Sequence, residues 1–193
     1  MAAGKLFALV LAAGGGSRFG GQKLLQPYRG TPLVRRAVRL AESLCGAESV
    51  LVTGSRWRAV FETCAPLEGF LVRNDDWESG LGSSITAGVG CIRRAAGAAL
   101  VILADQPLIT QDHLGALVAR WNGSTERIVA TAFADVIGPP ALFPAAYFGA
   151  LMQLQGDRGA RPVLAAFAEY AETITFEPAG VDIDQPEDLA RLR

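Results

Sequence analysis

The chain has 193 residues, half of them hydrophobic, with 18 Lys+Arg against 19 Asp+Glu. This length suits one domain spanning residues 1–193 with a full core, and the hydrophobic share excludes a disordered chain. A net charge of −1 offers no electrostatic footprint for nucleic acid or an anionic membrane surface, and no apolar run reaches the roughly 18 residues of a membrane helix. Met1-Ala-Ala-Gly-Lys5 has no signal-peptide layout, and Cys45, Cys64 and Cys91 form no CxxC pair. Both features point to a cytoplasmic chain with reduced core thiols.

In chain order, Leu6-Phe-Ala-Leu-Val-Leu11 predicts a buried strand over residues 5–13. It opens into Gly14-Gly-Gly-Ser-Arg-Phe-Gly-Gly21, five glycines within eight residues. A strand leading into such a turn offers bare backbone N–H groups, here those of Gly14, Gly15, Gly16 and Ser17, which suit phosphate oxygens. Arg18 and Lys23 add positive charge beside them. The Walker pattern fails, because Gly21 is followed by Gln22, Lys23 and Leu24. The dinucleotide fingerprint also fails, because Phe19 stands where its last glycine belongs. The expected ligand is a nucleoside triphosphate.

Pro32 opens a helix whose apolar face is Leu33, Val34, Ala37, Val38, Ala41 and Leu44, and Gly46 ends it. A strand over 49–53, a helix over 56–64 and a short strand over 70–72 follow. The polar loop Arg73 to Ser84 then leads into a helix over 84–96. Asn74, Ser83 and Ser84 suit the edge of a nucleobase, and the backbone from Gly80 to Ser84 suits base or phosphate. Trp77 reads as packing or as a stacking platform. The apolar run 98–104 predicts a strand covered on both faces, ending in Asp105. At that position a carboxylate is either a Mg²⁺ ligand or a cap of the following helix or turn.

A helix over 111–121 carries the lone histidine, His113, read as a surface residue. A strand over 127–133, helices over 144–155 and 160–170 around Gly156-Asp-Arg-Gly159, a strand over 172–176 and a helix from Pro186 complete the chain. The alternation argues for βαβ units and a largely parallel sheet. Asp182 and Asp184 share a face around Ile183, and Asp184 is a helix cap or a second metal ligand. With one histidine, Ser-His-Asp and Cys-His mechanisms find little support.

Leu11-Ala-Ala-Gly14, Ser17-Arg-Phe-Gly20 and Lys23 resemble the opening signature of the MobA-like nucleotidyltransferases. Leu103-Ala-Asp-Gln-Pro-Leu108 and Asp182-Ile-Asp-Gln-Pro-Glu-Asp-Leu189 match the same superfamily. Ala12-Ala-Gly14, Asn74-Asp-Asp-Trp77 with Gly80-Leu-Gly-Ser-Ser84, and Gly156-Asp-Arg-Gly-Ala-Arg161 are similar to its molybdenum cofactor cytidylyltransferase (MocA-like) branch. Gly138-Pro139-Pro140 departs from the pattern, since family members often have His at the position of Pro139.

The resemblance implies a single Rossmann-like three-layer α/β/α domain with a mixed, mostly parallel sheet of about seven strands. It implies transfer of CMP from CTP to the terminal phosphate of molybdopterin or molybdenum cofactor, with release of pyrophosphate. Transfer from GTP or another NTP, a different phosphorylated acceptor, and a cofactor-binding chaperone for a molybdenum hydroxylase are the alternatives. The nucleotide-binding set it implies is Leu11, Ala12, Ala13, Gly14, Gly15, Gly16, Ser17, Asn74, Gly80, Ser83 and Ser84. Arg18 would neutralise the β- and γ-phosphates, Lys23 would contact the α-phosphate, and Asp105 and Asp184 would hold Mg²⁺. The partners implied are CTP, a molybdopterin-type acceptor and, transiently, a hydroxylase, with no nucleic acid or membrane.

Overall fold

The computed structural model describes residues 4–16, 19–20 and 22–192. Strand β1 (Lys5–Ala12) lies inside the sheet, and its side chains alternate between two cores. Phe7, Leu9 and Leu11 enter one, and Ala8, Val10 and Ala12 enter the other. Both faces are therefore apolar, and both are covered. Helices α1 (Leu33–Cys45), α2 (Trp57–Cys64) and α4 (Gln111–Trp121) bury Val34, Ala37, Val38, Val60, Leu114 and Leu117 on one side. Helices α3 (Leu81–Ile92), α5 (Phe148–Leu151) and α6 (Arg161–Ala166) bury Ile85, Val89, Leu151 and Leu164 on the other.

The sheet has seven strands. Their order is β5 (Phe70–Arg73), β4 (Ser49–Thr53), β1, β6 (Ala96–Leu103), β8 (Val136–Pro144), β7 (Ile128–Phe133) and β9 (Ala171–Thr175). All run the same way except β8, which is antiparallel to both neighbours. A two-strand hairpin, β2 (Pro27–Tyr28) and β3 (Thr31–Pro32), precedes α1, and α7 (Pro186–Arg191) closes the chain. The mixed, mostly parallel α/β architecture expected from the resemblance is present.

Several expectations need correcting. Strand β8 has no counterpart among the predicted elements, and it contains Gly138-Pro139-Pro140. The prolines are tolerated inside the sheet because the ladder skips them: Ala130 pairs with Ala141 and Thr131 with Gly138. The carbonyls of the skipped pair find side chains instead. Thr131 Oγ1 donates to Pro140 O at 2.7 Å, and Gln106 Nε2 reaches Pro139 O at 3.3 Å. Helix α3 spans Leu81–Ile92, not 84–96, and the helical stretch of 144–155 shrinks to α5 and a short 3₁₀ turn. The stretch of 160–170 likewise shrinks to α6 and a 3₁₀ turn over 168–170. Cys45 and Cys64 are shielded thiols, pushed up to about 11 and about 12 chiefly by desolvation, whereas Cys91 is exposed.

His113 is buried, not a surface residue. Its ring stacks on Phe176 at 4.3 Å between centroids, and Nε2 lies 2.8 Å from Thr131 Oγ1. Because the Thr131 hydroxyl proton goes to Pro140, the hydroxyl oxygen accepts from His113 Nε2–H, which fixes the tautomer. Burial lowers the His113 pKa, in keeping with a neutral ring. Thr131→Val removes the centre of this chain and is expected to cost about 1–3 kcal/mol, since two buried polar groups lose their partner. Denaturant unfolding of the variant checks this, and an unchanged midpoint would contradict it.

Candidate active site

Parallel pairing brings the motifs together. Leu11 of β1 lies opposite Leu103 of β6, so the glycine turn and Asp105 leave the sheet at the same edge. The chain places β4 on one side of β1 and β6 on the other. Such a reversal opens a crevice beyond the carboxyl ends of the strands. Here the Ala104 N–H donates to Leu11 O at 3.2 Å, and the Ser55 N–H donates to Ala13 O at 3.0 Å, pinning the start of the turn.

Lys23 is carried on a 3₁₀ turn, Lys23–Leu25, whose Leu24 and Leu25 pack against the core and anchor the backbone beneath it. Its Nζ lies 2.7 Å from Asp105 Oδ2 and 3.0 Å from Asp184 Oδ1. The three side chains are graded in exposure, at 14% for Lys23, 26% for Asp105 and 58% for Asp184. Burial alone would lower the Lys23 pKa, but the Asp105 and Asp184 carboxylates outweigh it and hold the ammonium above its usual range. Asp182 is pushed up to about 6 by desolvation and by the neighbouring Asp105 and Asp184.

Neither carboxylate caps the helix that follows it. Helix α4 is capped by Thr110, whose side chain accepts from His113 N, so Asp105 does not cap it. At α7 the N–H groups of Asp184 and Gln185 both donate to Asp188 Oδ2, at 3.0 and 2.8 Å, which leaves the Asp184 carboxylate to meet Lys23. Asp184 is held by its neighbour: Ile183 is fully buried and its N–H donates to Asp105 O at 3.0 Å. Gln106 also ties these segments together, with Nε2 donating to Ala179 O at 2.8 Å. Sequence reasoning missed this buried amide. Its place directly after Asp105 was the available signal.

A cavity of about 320 Å³ lies at this edge. Leu11, Ala12, Ala13, Gly14, Gly15, Gly16, Lys23, Gly80, Ser84 and Asp105 all line it. Ser17 and Arg18 lie outside the described residues. Asn74 and Ser83 do not line this cavity; they line an adjoining groove. Asn74 is buried, and its Nδ2 donates to Ser83 Oγ at 2.8 Å and Ser84 Oγ at 3.1 Å. Its Oδ1 accepts from Asp76 N, so the amide braces the loop. Trp77, read from the sequence as packing or a stacking platform, lines the cavity, as do Glu78 and Asp157, which had no assigned role. Trp77 packs on glycines: a side chain at Gly54 would come within 2.5 Å of Trp77 Cβ, and one at Gly15 within 2.9 Å of its ring.

Two carboxylate oxygens that reach one positive centre at 2.7 and 3.0 Å form the hard-oxygen donor pair that suits a divalent cation. Among the described residues, no group of three or more His, Cys, Asp or Glu side chains is placed to hold a metal. The protein pair would therefore leave most of a metal's coordination sphere to phosphate oxygens and water. No helix among the described residues is long and apolar enough to cross a membrane.

A glycine turn, a lysine and paired carboxylates at a sheet crevice define a phosphate-handling α/β protein. The chain belongs to the MobA-like NTP transferase family, whose domain model matches residues 8–173. It is 34% identical to nicotine blue oxidoreductase of Paenarthrobacter nicotinovorans, over 95% of this chain and 94% of that one. It is 31% identical to purine catabolism protein PucB of Bacillus subtilis strain 168, over 97% and 96%. The fold matches the crystal structure of Rv0371c from Mycobacterium tuberculosis H37Rv with a TM-score of 0.85 at 27% identity, covering 100% and 98% of the two chains. A manganese complex of Rv0371c matches with a TM-score of 0.80 at 25% identity, over 97% of each chain.

Proposed function

We propose that this chain is a Mg²⁺-dependent cytidylyltransferase that joins CMP from CTP to the terminal phosphate of a molybdopterin-type acceptor. The observation that carries the reading is the Lys23 bridge between Asp105 and Asp184 beside the glycine-lined cavity. The Ala12-Ala-Gly14 and Gly156-Asp-Arg-Gly-Ala-Arg161 motifs support the cytidylyl branch. The acceptor phosphate is already an anion, so no general base is needed, and the neutral, buried His113 stands apart from the reaction. An acceptor oxygen forms a bond to the α-phosphorus as the bond from that phosphorus to the β-bridging oxygen breaks. The electron pair leaves with pyrophosphate.

Two anions must meet, so catalysis consists of positioning and charge stabilisation. The backbone N–H groups of Gly14 to Ser17 hold phosphate oxygens, and Lys23 stabilises the α-phosphoryl group as its charge builds. Arg18 receives the departing β- and γ-phosphates. Asp105 and Asp184 would hold Mg²⁺, whose chemistry there is neutralisation of phosphate oxygens. The manganese bound by Rv0371c supports divalent metal use. Leu11, Ala12, Ala13, Gly80 and Ser84 form the base-side wall. Transfer of the finished dinucleotide to a molybdenum hydroxylase would follow release.

The test is a panel of four nucleoside triphosphates with Mg²⁺, scored for pyrophosphate release with and without molybdopterin. Release from CTP only when molybdopterin is present is the expected result. Release that favours GTP, or none from any nucleotide, would contradict it. The relative named as an oxidoreductase gives a second reading. That reading requires redox turnover with neither a nucleoside triphosphate nor molybdopterin present.

A further inference from the structure

The Gly156-Asp-Arg-Gly159 loop carries none of the phosphate-binding roles proposed above, yet the fold brings its Asp157 into the cavity lining. Gly80 has φ +101°, and a side chain there would come within 2.5 Å of both Asp157 Oδ1 and the Gly156 backbone. Gly159, at φ +55°, closes against Leu81, where a side chain would fall 2.8 Å from Leu81 Cδ2. These two glycines let the loop approach the start of α3 and carry Asp157 into the lining beside Gly80, Leu81 and Ser84. The Asp157 side chain is exposed, and among the described residues it makes no ion pair.

An ionised carboxylate only accepts hydrogen bonds, and beside a polyphosphate it is repulsive. In this wall it favours a ligand that turns an N–H or O–H toward it over one that turns a phosphate there. The neighbouring Leu81, with Trp77 and Leu103 also in the lining, offers apolar surface for a flat ring. Among pyrimidines, cytosine presents an amino donor at C4 where uracil presents a carbonyl acceptor, and Asp or Glu accepting from cytosine N4 is a recurrent pairing.

On the reading that this cavity takes a nucleoside triphosphate, we infer that Asp157 is a specificity residue. It accepts a hydrogen bond from the exocyclic amino group of the base and so selects cytosine over uracil. Isothermal titration of CTP, UTP and 3′-deoxy-CTP, with Mg²⁺, into the full chain and into Asp157→Asn tests this without an acceptor. The native chain is expected to bind CTP at least ~10-fold more tightly than UTP. Asp157→Asn, nearly isosteric and able to turn either a donor or an acceptor to the ring, should bring the two within about threefold. The 3′-deoxy nucleotide should be weakened equally in both proteins. A native chain indifferent to CTP and UTP, a variant that keeps the preference, or equal weakening of all three ligands would overturn the inference. A native chain that binds no nucleotide would overturn the reading of the cavity as well.

Discussion

Lys23→Ala is expected to lower turnover by at least ~10²-fold, the scale seen when one donor to a developing oxyanion is removed. The lysine sits at the meeting point of the site, 2.7 Å from Asp105 and 3.0 Å from Asp184, on a turn anchored by Leu24 and Leu25. Its raised pKa keeps it charged throughout the neutral range, so the loss should be similar across neutral pH. The same substitution should strengthen binding of free Mn²⁺ in the absence of nucleotide, because two adjacent carboxylates lose the ammonium that neutralises them. Pyrophosphate release and Mn²⁺ titration by electron paramagnetic resonance read the two effects separately. Near-native turnover in a folded variant would contradict the role of Lys23.

Asp105→Asn is expected to weaken the metal dependence of turnover by more than the ~10–100-fold typical of residues that merely orient a ligand. The substitution keeps the Asp105 carbonyl that accepts from Ile183 N, so the segment carrying Asp184 stays in place. What changes is one charged oxygen donor and one partner of Lys23. Titrating Mg²⁺ against pyrophosphate release gives the midpoint directly. An unchanged midpoint would remove Asp105 from the metal site.

Much of this site could be read from residue order alone, because local rules and tertiary structure agree there. The strand into the glycine turn, and the apolar strand that ends at Asp105, carry their own periodicity. Parallel pairing of Leu11 with Leu103 then brings their ends together. Elsewhere, distant partners override local signals. Gly138-Pro139-Pro140 has turn chemistry, yet it lies within β8 because Thr131 and Gln106 satisfy the carbonyls that the ladder skips. His113 carries a polar side chain but is buried because Thr131 and Phe176 complete its surroundings. Asn74 has the groups to read a base, but Ser83 and Ser84 engage its amide. Asp157 enters the cavity through the backbone angle of Gly80, a residue far away in the chain. None of these outcomes has a nearest-neighbour signature.

The account turns on metal and nucleotide meeting at one place. Calorimetric affinity of CTP with and without Mg²⁺, in the native chain and in Asp184→Asn, measures that coupling, which must be reciprocal between the two ligands. The native chain should bind CTP at least ~10-fold more tightly with Mg²⁺ present, and Asp184→Asn should lose most of that gain. CTP affinity indifferent to the metal, or equal coupling in the native and substituted chains, would contradict a shared site built from Lys23, Asp105 and Asp184.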